Sequence, residues 1–109
     1  MTDRQSRPPG LQAAVTAEGV VHLAISGDLD VSVVAALADE LAWLAEVRPA
    51  RLIVDMSGVK YIDCASARLL ASLTAFLPAG RRPVLTSVQP AVRRLLRLTG
   101  LAATFELAD

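Results

Sequence analysis

Asp63 and Cys64 stand where this chain could do chemistry. They end the segment Tyr61-Ile62-Asp63 and open a run of small and apolar residues, Cys64-Ala65-Ser66-Ala67-Arg68-Leu69-Leu70. An aspartate at such a junction is a natural helix N-cap, so the pair is predicted where a loop enters a helix. Unsatisfied amides and the helix macrodipole favour negative charge there. Several roles for Cys64 follow. It is a small, partly buried residue that keeps the helix start close-packed. Or it is a redox switch, since a helix N-terminus favours the thiolate and a sulfenic acid or mixed disulfide would add polarity; the adjacent Asp63 carboxylate opposes that shift. Or it is a catalytic nucleophile, which needs a base.

The rest of the chain offers that nucleophile no partner. His22 is the one histidine, and it reads as an exposed strand residue opposite Val21 and Leu23. No Cys/His cluster suits a metal, no Gly-rich phosphate loop is present since Gly58 and Gly100 are isolated, and no Ser/His/Asp or paired-carboxylate arrangement is visible. The reading is a non-enzymatic protein with no cofactor, no metal and no evident small-molecule substrate. Asp28 and Asp30 are turn and cap residues by their position. Trp43 and Tyr61 read as packing residues.

Composition narrows the class further. A chain of 109 residues is one domain. Eleven basic residues balance eleven acidic ones, which argues against nucleic acid as a direct partner. Arginines cluster at Arg81-Arg82 and at Arg93-Arg94-Arg97. The second group reads as the solvated side of a helix, with contact to an acidic partner patch as the alternative. One cysteine cannot form an internal disulfide, which fits a reducing cytoplasm. No run reaches the ~20 apolar residues of a membrane span. Residues 1–10 are polar and read as a disordered lead-in, with the domain over 11–109.

Periodicity supplies the elements that must hold Asp63 and Cys64 in place. Leu11–Thr16 and Val20–Ser26 read as strands around a turn at Gly19. Val33–Val47 is helical, with Val34, Leu37, Leu41 and Leu44 on one face, and Pro49 stops it. Arg51–Asp55 is a buried strand, followed by a loop over Met56–Asp63. A helix runs from Cys64 to Leu77. Pro83–Ser87 is a strand, Pro90 starts a helix over Ala91–Thr99, Gly100 ends it, and Ala103–Leu107 is the last strand. The fold class is α/β, order β-β-α-β-α-β-α-β, with a mixed sheet of four to five strands and about three to four helices.

Three segments in this order resemble the STAS domain family, of the anti-sigma factor antagonist type. They are the strand-turn Ile25–Leu41, the signature Asp55–Leu70, and the Pro-initiated helix Val88–Leu101 ending in Thr99-Gly100-Leu101. The resemblance implies a protein that binds an anti-sigma factor of the serine kinase type and so frees a sigma factor. It implies a bacterial, cytoplasmic regulator of transcription, monomeric or weakly dimeric. A STAS subunit of a lipid ABC transporter is the alternative within the same fold.

The resemblance also implies a site. In the family an Asp is followed directly by a Ser or Thr that the partner kinase phosphorylates, and here that acceptor position holds Cys64. Partner contacts carry over to Asp28, Asp30, Asp63, Cys64, Ala65, Ser66 and Arg68. A kinase could instead use Ser66 or Ser57. Regulation is then constitutive, redox-linked or moved to one of these serines.

Overall fold

Alternation of Val21, Leu23 and Ile25 with polar or small residues builds the second strand of the sheet. In the computed structural model, which describes residues 11–15, 18–27, 39 and 42–108, β1 (Leu11–Val15) pairs antiparallel with β2 (Val20–Ser26). The turn between them needs Gly19, whose φ of +77 is left-handed. β3 (Arg51–Gly58), β4 (Val84–Thr86) and β5 (Glu106–Ala108) add in parallel, giving a five-stranded mixed sheet in the order β1-β2-β3-β4-β5. The connections are helical. Of the first, α1, residues 39 and 42–47 are described. The second is α2 (Cys64–Ala71), which tightens into a 3-10 segment, Ser72–Phe76. The third is α3 (Pro90–Leu98), followed by the 3-10 turn Leu101–Thr104.

Sequential strand order with crossovers of the usual right hand sets the connecting helices on one face of the sheet, and the described helical residues Leu44, Leu70 and Leu96 pack into one core. Burial follows that geometry. Leu23, Val54 and Leu85 form one cross-strand row and are fully buried. The adjacent row, His22, Ile53, Val84 and Glu106, runs exposed, half-buried, half-buried and exposed. The core lies between the first face and Leu44, Leu70, Leu73, Val92, Leu96 and Phe105, each such large side chain contributing about 1.5–3 kcal/mol by leaving water.

The element order is as predicted, and the boundaries differ. β3 does not end at Asp55 but continues to Gly58. The cause is a register shift in the β2–β3 pairing between Ala24 and Ser26, after which Ser26 pairs with Gly58. The α-helix that begins at Cys64 ends at Ala71, and the rest of its predicted length is 3-10. Residues 101–104, partly assigned to the last strand, form a 3-10 turn instead. Tyr61, expected to pack, is 54% exposed; Trp43 is half-buried against the core. The lead-in at 1–10 and the helix positions Val34, Leu37 and Leu41 lie outside the described residues.

Candidate functional site

Asp63 holds the start of α2. Its backbone is extended (φ −94, ψ 170), and its carboxylate Oδ1 accepts a hydrogen bond from the Ser66 amide at 2.7 Å. Its carbonyl accepts the first helical bond, from the Ala67 amide at 3.0 Å. An aspartate cap of this kind satisfies one orphan amide and places a negative charge at the positive helix end. Cys64 is therefore the first helical residue, and its thiol is free and exposed. This corrects the expectation of a partly buried packing residue: the helix start turns Cys64 and Ala65 outward and takes Ser66 and Ala67 into the core.

Ser66 requires a second correction. It is fully buried, and its Oγ has no hydrogen-bond partner among the described residues. At this position the hydroxyl does not reach the surface of the folded chain. Arg68 is exposed one turn along α2. Ser57 is also exposed, at the end of β3, so of the two alternative acceptor serines only it reaches solvent.

The ground beneath the site is tied by three contacts. The Gly27 amide donates to the Gly58 carbonyl at 2.8 Å, extending the β2–β3 pairing past the register shift. The Ser57 amide donates to Asp55 Oδ1 at 2.9 Å. Gln89, just ahead of α3, donates from Nε2 to the Ser57 carbonyl at 2.9 Å and so joins the start of α3 to the end of β3. Sequence reasoning missed Gln89 and the exposed Tyr61; the signal for Gln89 was its place immediately before the helix-initiating Pro90. Asp28 and Asp30 lie outside the described residues. The structure thus brings together Asp63, Cys64, Ala65 and Arg68 along one face of the α2 start.

The arrangement offers binding surface and an accessible thiol. His22 is on the open face of the sheet, whereas Cys64 begins a helix of the layer behind the other face, so His22 does not serve it as a base. Among the described residues no cluster of His, Cys, Asp or Glu could hold a metal ion. No helix is long and apolar enough to cross a membrane among those residues.

Known proteins share this architecture. The chain is 27% identical over 89 residues to the anti-sigma-F factor antagonist RsfB of Mycobacterium tuberculosis, covering 82% of this chain and 73% of that one. It superposes on the crystal structure of an anti-sigma factor antagonist from Mycobacterium paratuberculosis with a TM-score of 0.74 and 28% identity, covering 94% of this chain and 88% of that one. SpoIIAA, an anti-sigma factor antagonist solved in its unphosphorylated form, shares the fold at a TM-score of 0.72 and 20% identity, over 91% of this chain and 88% of that one. The model of the STAS domain matches residues 12–109, and the chain belongs to the STAS domain family.

Proposed function

We propose that this chain is an anti-sigma factor antagonist, which binds a kinase-type anti-sigma factor through the start of α2 and so releases a sigma factor. The observation that carries the reading is the capped helix start itself. An exposed residue directly after the Asp63 cap sits among exposed Lys60, Tyr61, Ala65 and Arg68, a surface a partner can cover. RsfB and the Mycobacterium paratuberculosis protein, both described as anti-sigma antagonists, align with nearly all of this domain and support the assignment.

The chemistry at that residue sets the mode of control. A phosphate on a hydroxyl at Cys64 would add about −1.5 to −2 charge beside the Asp63 carboxylate. Like-charge repulsion and desolvation would then expel an acidic partner. A kinase that phosphorylates Ser or Thr finds a thiol at this position. The antagonist is therefore constitutively able to bind, and an oxidant that reaches the exposed thiol is the available modifier. Partner contacts extend to Asp28 and Asp30.

The test is incubation with each cognate anti-sigma kinase and ATP, read by intact mass and native mass spectrometry. A stable complex without phosphate gain is the expected result. Failure to bind any of these kinases overturns the function. A phosphate gain with loss of the complex overturns constitutive binding and directs attention to Ser57.

A further inference from the structure

At the end of the sheet remote from Cys64, three arginines line one cavity. Arg51 is the first residue of β3, and Arg81 and Arg82 precede β4. The strands are parallel with Ile53 opposite Val84, so Arg51, two residues before Ile53, and Arg82, two residues before Val84, lie at the same end of the sheet. With Arg81, Gly80 and Glu106 they line a cavity of about 140 Å³. The Arg82 guanidinium donates from Nη1 to the Ala103 carbonyl at 3.2 Å, which fixes it at the cavity edge. Among the described residues neither Arg51 nor Arg81 has an ion-pair partner, and Glu106 has none. All four of these side chains are exposed at the rim.

This is an unneutralised arrangement. Three guanidinium groups line this cavity against one carboxylate, and like charges brought close together repel. An anion between them would remove that repulsion. The guanidinium fork presents paired N–H donors that match the oxygens of a phosphate bidentately, and several forks around one small cavity select a compact, multiply charged oxyanion over chloride. The site is separate from the proposed partner surface: Arg51 and Gly58 bound β3, seven strand steps or about 23 Å apart.

We infer that this corner of the sheet is a binding site for a phosphate group, carried on a soluble phosphate ester or on a lipid headgroup. The test is a titration of the full chain with sodium phosphate in phosphate-free buffer, against sodium chloride at equal ionic strength, followed by NMR of the arginine Nε–H groups and the backbone amides. Arg51, Arg81 and Arg82 are expected to shift together and saturate with phosphate while the Asp63 and Cys64 amides stay still. Arg51→Gln and Arg81→Gln, both at exposed positions and so expected to keep the parent amide spectrum, should each weaken the apparent affinity at least fivefold. Cosedimentation with vesicles containing phosphatidate would identify the group as a lipid headgroup; phosphate saturation without cosedimentation would identify a soluble ester. Shifts that fail to saturate, that chloride reproduces, or that spread over all arginines overturn the site. None of these outcomes bears on anti-sigma binding.

Discussion

Ser66 bears on the proposal that control lies at Cys64, because it was the nearest alternative acceptor. Its hydroxyl is buried without a partner, a state that costs roughly 1–3 kcal/mol. Ser66→Ala is expected to stabilise the domain by about 1 kcal/mol, read as a rise in Tm of about 4–8 °C. Ser66→Asp buries an unpaired charge and is expected to unfold the chain in thermal melts monitored by circular dichroism. If Ser66→Asp folded normally, the burial described above would be wrong, and the serine would return as an acceptor candidate. Cys64→Ser changes an exposed side chain and should leave stability within about 0.5 kcal/mol. With the cognate kinase and ATP it should gain a phosphate that the parent chain does not, as intact mass would show. Asp63→Ala removes the cap and is expected to cost about 1 kcal/mol, whereas Asp63→Asn keeps most of it; denaturant unfolding separates the two. Cys64 was conspicuous in the sequence because its type departs from a recognisable pattern. The burial of Ser66 was not legible: a run of small residues at a helix start carries too little hydrophobic contrast to reveal which of them turns inward.

At the scale of elements, the site depends on how β3 ends and α2 begins. Gly27, at φ +87, donates the bond that carries the β2–β3 pairing to Gly58, and a Cβ built on it meets no atom within 4 Å. Gly27→Ala is therefore a test of conformation alone, expected to cost about 1–2 kcal/mol through left-handed strain and to lower Tm without altering the unfolding m-value. The strands, the Asp63 cap, the turn at Gly19 and the stop at Gly100 were legible because each rests on local chemistry: period-two alternation, a capping carboxylate, residues free at positive φ. The extension of β3 was not. It follows from a register shift against Ser26, a relation between two segments about thirty residues apart, and Met56-Ser57-Gly58 alone reads as a turn. The change of α2 to 3-10 geometry after Ala71 was invisible for a local reason, since Leu73 and Phe76 keep an apolar rhythm through the tighter turns.

Over the whole molecule, the formal neutrality of the chain conceals a local cluster of arginines. Asp63 lies at one end of the parallel strands and Arg51, Arg81 and Arg82 at the other. The arginine corner was not legible, because Arg51 and Arg81-Arg82 meet only through parallel pairing of β3 and β4. Sites this far apart with no shared partners should act independently: Arg81→Gln is expected to leave the affinity for the anti-sigma partner unchanged, as calorimetry would establish. The strand order has one more consequence, which concerns how the protein is made. Each strand pairs with the strands next to it in the chain, so a nascent polypeptide leaving the ribosome always meets a template already in place. Synthesis proceeds from the N-terminus at ~5–20 residues per second, slow against the microseconds a hairpin needs to form. The β1–β2 hairpin can stand first, β3 and β4 can dock in turn, and the three-residue β5, which follows them in the chain, finds a sheet waiting for it.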